Sequence, residues 1–188
     1  MTNIQKHFLE NIQSILNEDH RTKLTEDSLA FVMENVGIHN SSLKAELCFF
    51  NEDCGIEGVN SGILQILFTV SLGYSKERTM ELTARLDEVN KRIMLGSFHA
   101  YEPFNHIVFR YGLPIPDLEA PDASQLLFVT LAKMSDELEL LFNYILMIAG
   151  DVDTITLDEY LEELNILRMA IADDPDFVEK YYDQRGGE

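Results

Sequence analysis

"RLDEVNKRIMLGSFHAYEPFNHIVFRYGLPIP", residues Arg85 to Pro116, changes its apolar period halfway along. Up to Ile93 the apolar residues Leu82, Leu86, Val89 and Ile93 recur three and four apart, the signature of one helix face. After Gly96 the pattern becomes that of two strands around "EPF". A helix therefore feeds straight into a β-hairpin, with Gly96 at the bend. The expected arms are Ser97–Tyr101 and Asn105–Tyr111, with Pro103 in the connection, where a missing N–H does little harm.

Working back from this stretch, Ser75 is the expected N-cap of the helix, with Glu77 in its first turn. Before it lie three strands. "SLAFVMENVG" ends at Gly37, and "SLKAELCFFNED" alternates, with Leu43, Ala45, Leu47 and Phe49 facing one way and Lys44 and Glu46 the other. "ILQILFTVSLGYS" puts Leu64, Ile66, Phe68, Val70 and Leu72 on one face. Partly polar outer faces and short connections imply an antiparallel meander covered on one side. An amphipathic helix marked by Ile4, Phe8, Ile12 and Ile15 opens the chain, and the polar "NEDHRTKLTED" reads as a break after it.

Working forward, "GLPIPDLEAPD" reads as a breaker-rich crossing, and Asp122 or Ser124 starts the longest helix, which ends near Gly150. Leu127, Leu131, Met134, Leu138, Leu141, Ile145 and Ile148 recur in alternating steps of four and three, which suits packing on a sheet. Leu140, Tyr144 and Met147 lie on nearly the opposite side and mark a second surface for a partner or for the chain's own tail. The tail itself has a capping box, Thr156 with Glu159, ahead of a helix from Leu157 to Ala172, and a short final helix in "DDPDFVEKYYDQRGGE". The expected fold is α+β: a five-stranded, mostly antiparallel sheet with helices mainly on one face, in the order α-β-β-β-α-β-β-α. Residues 1–150 form this domain, and 151–188 a helical extension packing on it.

Composition narrows the function classes. The chain has 188 residues, 46% of them hydrophobic, which suits one globular domain with an appendage. Its 33 acids against 14 Lys and Arg give a formal net charge of −19, a field that repels nucleic-acid phosphate and anionic membrane and favours a basic partner. Acidity is concentrated from Ile115 onward, with 18 acids and 4 bases against 15 and 10 before it. The start "MTNIQKHFLENIQ" lacks a long apolar run and "LLFNYILMIAG" is too short for a bilayer, so a cytoplasmic protein is expected. Cys48 and Cys54, separated by "FFNED", fit reduced thiols and have neither zinc-knuckle nor redox spacing.

The candidates for chemistry are weak. "GDVDTITLDEYLEEL" resembles the second half of an EF-hand, but aligning Glu159 with the bidentate ligand puts Ile148, Gly150 and Val152 where oxygens are needed. With a three-residue turn at Glu102–Phe104, His99 faces Ile107 and Ala100 faces His106, so the two imidazoles point to opposite sides of the sheet and share no metal. No phosphate-binding glycine loop, serine elbow or metalloprotease motif is present. No catalytic, metal or cofactor residues are assigned, and no cofactor is expected.

The order of elements is similar to that of the type III secretion chaperones and the related YbjN-like proteins. The residues that carry the resemblance are Asn90 near the helix end, Gly96, Ser97 and Phe98, the turn "EPFN" and the returning "IVFRYGLPI", within Ile4 to Ala149. The resemblance implies a non-catalytic, adaptor- or chaperone-like module that binds another polypeptide, one that is basic or presents an apolar segment, and that commonly forms a homodimer. The alternative is an enzyme or small-ligand protein whose site is assembled from scattered residues. The tail is expected to cover at least part of the Leu140, Tyr144 and Met147 patch, the alternative being dimerisation through it. Deleting residues 151–188 is then expected to raise hydrophobic-dye binding and promote association, which fluorescence and sedimentation would measure; an unchanged, equally stable monomer would refute it.

Overall fold

The computed structural model describes residues 1–18, 20–36, 41–50, 61–71, 73–150 and 155–173. Contacts divide the chain into two compact units, Met1–Val152 and Asp153–Glu188. The first is an α+β unit. It contains α1 (Asn3–Leu16), β1 (Thr22–Leu24), β2 (Ser28–Val36), β3 (Ser41–Phe49), β4 (Gly62–Ser71), a 3-10 turn (Lys76–Arg78), α2 (Thr79–Asn90), β5 (Ser97–Tyr101), β6 (His106–Ile115) and α3 (Ala123–Ala149). The second contains α4 (Leu157–Asp173). The final helix expected in residues 174–188 lies outside the described residues.

The sheet has six antiparallel-paired strands in the order β1-β2-β3-β4-β6-β5. This corrects the expected five strands and their order, since a strand precedes the expected three. "TKL" is too short and too polar to show alternation; it is a strand only because Thr22, Lys23 and Leu24 pair with Phe31, Ala30 and Leu29. Thr25 closes that hairpin, its N–H donating to the Ser28 carbonyl at 2.8 Å while its Oγ1 accepts from the Ser28 N–H at 3.0 Å.

Alternation sorts the sheet into two faces. Leu29, Phe31, Leu43, Ala45, Leu47, Phe49, Leu64, Ile66, Phe68, Phe98, Phe109 and Leu113 are all buried on the inner face. The Phe109 ring stacks on Phe98 at 4.5 Å and on Phe68 at 6.5 Å, tying three adjacent strands together. α1 lies on this face, its Phe8 meeting Phe49 edge-on at 6.0 Å. α3 crosses β2, β4 and β6, and all seven residues of its regular stripe are buried.

The passage from α2 to β5 explains the opening stretch. Asn90, at the end of α2, acts as a short piece of strand: its Oδ1 accepts from the Phe98 N–H at 2.7 Å and its Nδ2 donates to the Phe98 carbonyl at 2.9 Å. The helix stops at Asn90 rather than continuing to Ile93, because that side chain is committed to β5. Gly96 then turns with φ +88°, and a Cβ there would meet the Phe109 ring at 2.8 Å and the Arg110 carbonyl oxygen at 3.1 Å. Only glycine fits both the conformation and the space. Ser75 does not cap the helix through its side chain. Its hydroxyl bonds the Glu77 carboxylate, and the 3-10 turn leads into α2.

The hairpin is one register away from expectation. Its turn has four residues, Glu102–Asn105, and Asn105 takes a left-handed φ of 51°, which asparagine tolerates. Tyr101 therefore pairs with His106, Ala100 with Ile107 and His99 with Val108. β6 also runs on through Pro114 to Ile115, four residues past the expected end of the arm. Two bonds fix why. Phe98 spends both main-chain groups on Asn90, and the Ile63 carbonyl accepts from the Phe50 N–H at 3.1 Å. By alternation the main-chain groups of Gly112 and Pro114 then point away from β4, past the place where β5 begins at Ser97–Arg110. The missing proline N–H breaks no ladder bond there, and it blunts an otherwise exposed edge.

Ile66→Ala and Leu138→Ala, both fully buried, should each cost about 2–5 kcal/mol in chemical denaturation. Gly96→Ala should cost about 1–3 kcal/mol, since it combines a left-handed φ with overlap on the Phe109 ring. A near-zero change at Gly96 would refute the packing argument for the bend.

Candidate functional site

The corrected register creates a cluster that the sequence pattern hid. Residues of a cross-strand pair share a face, as do residues two apart along a strand. Ser97, His99 and Tyr101 on β5 thus stand on the outer face with Arg110, Val108 and His106 on β6. His99 and His106 lie on the same side of the sheet, not on opposite sides as expected. Among the described residues no group of three or more His, Cys, Asp or Glu is placed to hold a metal ion.

Ser97 and His99, two apart on one strand, bring Ser97 Oγ within 2.6 Å of His99 Nε2. Burial pushes the His99 pKa down, the Arg110 guanidinium adds to this, and Asp87 on α2 opposes it. The ring therefore favours its neutral form. A neutral imidazole bonded to a hydroxyl is half of a nucleophile-activating arrangement. Among the described residues no carboxylate hydrogen-bonds the other ring nitrogen to complete it.

Beside this pair is an open depression of about 370 Å³ lined by Phe50, Gln65, Gly96, Ser97, Arg110, Tyr111 and Gly112. Arg110 is exposed and has no ion-pair partner among the described residues. Gln65 Oε1 accepts from the Cys48 thiol at 3.6 Å, which leaves its Nε2 hydrogens for the depression. Cys48 is a free thiol whose pKa is raised by burial and then by Glu46, so it is a poor nucleophile. Burial works against the Glu46 carboxylate too, but the Ser28 hydroxyl at 2.8 Å and the Lys44 ammonium at 3.2 Å outweigh it and hold the pKa low. Cys54 lies outside the described residues.

At the far end of the hairpin the turn carries aromatic rings outward. Phe104 sits 5.7 Å from Tyr101 and 6.2 Å from His106, centroid to centroid, and is 65% exposed; Tyr101 is 47% exposed. The turn under them is held firmly. The Phe104 and Asn105 N–H groups donate to the Tyr101 and Glu102 carbonyls, and the Tyr74 N–H donates to the Asn105 carbonyl at 3.0 Å.

The residues singled out from sequence stand elsewhere. On α3, Leu140 and Met147 are half-buried and Tyr144 is buried, with the Asn143 Oδ1 buried and unpaired in the same stripe. In the EF-hand-like stretch, residues 151–154 lie outside the described residues. Glu159 is a helix cap: its Oε2 accepts from the Thr156 N–H at 2.7 Å and from Thr156 Oγ1 at 2.9 Å, which lowers its pKa. The signal that would have found the outer-face cluster is the i, i+2 spacing of Ser97 and His99, read with a four-residue turn. Compared with known proteins, the chain matches no family pattern and no curated sequence.

His99 supplies a pH test. Its folded pKa lies below the unfolded value near 6.5, so between the two the unfolded chain binds more protons, and stability falls as pH drops from about 6.5 through the folded pKa. Urea midpoints taken from pH 7.5 to 5 should fall further for the wild type than for His99→Gln. Parallel curves would show that His99 titrates alike in both states.

Proposed function

We propose that the protein is a non-catalytic polypeptide-binding module, adaptor- or chaperone-like, acting in the cytoplasm, with the β5–β6 hairpin tip as its contact surface. One observation carries this reading: the exposed rings of Tyr101 and Phe104, with the half-buried His106 beside them, stand at a turn held by three main-chain hydrogen bonds. Aromatic side chains held rigidly in water bind at low entropic cost, and such rings dominate protein interfaces. The net charge of −19 directs the choice toward a basic partner and makes association faster at low salt. The sequence resemblance to secretion chaperones and YbjN-like proteins at Asn90, Gly96, Ser97, Phe98 and the turn "EPFN" supports the same reading. Among the described residues no helix is long and apolar enough to cross a membrane.

Phe104→Ala and Tyr101→Ala should leave the melting temperature unchanged, because both side chains are exposed. Affinity capture from native lysate with the wild type and with the double variant, compared by mass spectrometry, should recover a basic protein with the wild type alone. Sedimentation of both chains separates this from a homodimer formed through the same knob. Identical captures and identical sedimentation would overturn the proposal.

A further inference from the structure

We propose that the depression bounded by Gln65, Ser97, Arg110 and Gly112 is a carboxylate-binding site. The inference goes beyond the hairpin-tip reading and stands without it, since it rests on other residues.

The chain carries 33 acids, yet among the described residues none that lines this depression is an acid. The one formal charge among its described lining residues is the Arg110 guanidinium, which has no ion-pair partner among the described residues. An exposed cation in a chain of net charge −19 would ordinarily be met by a side-chain carboxylate; here the fork is left to an incoming one. The remaining polar groups can donate as well. Gln65 Nε2 donates to none of the described residues, its oxygen being the atom that Cys48 engages, and the Gly112 N–H points to the side of β6 that β5 does not reach. The Ser97 oxygen shares its hydrogen bond with His99 Nε2, and its O–H joins the set when His99 carries the proton on Nε2 and donates to it. Glycine at 96 and 112 keeps the floor low, so that a ligand can approach the main chain.

Charge selects the class of anion. One guanidinium within a strongly negative chain favours a monoanion over a phosphate dianion, and its planar fork matches a carboxylate by two parallel N–H···O bonds. The exposed Phe50 beside the depression suits an apolar body behind the carboxylate. Such a group can be a free organic acid or the C-terminus of a polypeptide, and both present the same chemistry to Arg110.

The test is a titration of the ¹⁵N-labelled full chain with benzoate, with benzamide as the uncharged analogue, and with an N-acetylated lysine-alanine hexapeptide in free-acid and amidated forms. Benzoate should shift the Gly96, Ser97, Arg110 and Gly112 amide signals saturably, while benzamide and the amidated peptide leave them in place. Arg110→Gln, at an exposed position, should weaken benzoate binding by about tenfold or more, and Ser97→Ala by less. Equal shifts with benzamide, no shift with benzoate, or an Arg110→Gln chain that binds benzoate as the wild type does would each overturn the proposal. A free-acid peptide that binds well above benzoate assigns the site to a polypeptide terminus; equal or weaker binding assigns it to a free acid. Phe104→Ala should leave benzoate binding unchanged, so failure at the hairpin tip and failure here are read separately.

Discussion

The structure depends on one side chain standing in for a strand. Asn90 satisfies both main-chain groups of Phe98, so a helix end and a sheet edge are tied directly to each other across the connection 91–96. An unpaired edge residue of this kind would otherwise be left to water or to another chain. The bond pair also fixes a phase. Once Phe98 points its N–H and carbonyl at α2, every residue of β5 and β6 has its direction set, down to Gly112 and Pro114. Gly96 makes the joint possible by letting the chain pass against the Phe109 ring.

From that phase follow both surfaces of functional interest. The stacked Phe68, Phe109 and Phe98 are turned inward, and the residues between them, Ser97, His99 and Arg110, are necessarily turned outward. Burial of the rings is the large energetic term, and the polar cluster is its geometric by-product. The cluster stays accessible because β5 begins only at Ser97, leaving Gly112 unflanked on that side. At the other end of the same hairpin, the left-handed Asn105 adds a fourth turn residue and lifts Phe104 into water. One hairpin thus carries an anion-sized depression at its base and an aromatic knob at its tip.

The acidic surface gives these two features their contrast. Against a background of net charge −19, an isolated guanidinium and an exposed aromatic cluster are the exceptions, and exceptions on a surface carry more information than its average. Cys48 and the Glu46–Lys44 pair, by contrast, are accounted for by local hydrogen bonds and burial.

The sequence by itself determined what periodicity and local chemistry dictate: the α+β class, the strands at Ser41–Phe49 and Gly62–Ser71, the long α3 stripe, the Thr156–Glu159 cap and the glycine bend at Gly96. These are properties of neighbours in the chain, and the alternation of Leu43, Ala45, Leu47 and Phe49 needs no partner to be read. Tertiary structure decided what depends on pairing across the fold. "TKL" is a strand only because Leu29 and Phe31 lie beside it, and Pro114 stays in β6 only because its face toward β5's side is vacant. The outer-face cluster was hidden for the same reason. A single residue's difference in turn length moves His106 to the side of the sheet that His99 occupies, and the left-handed φ of Asn105, which no periodicity records, supplied that residue.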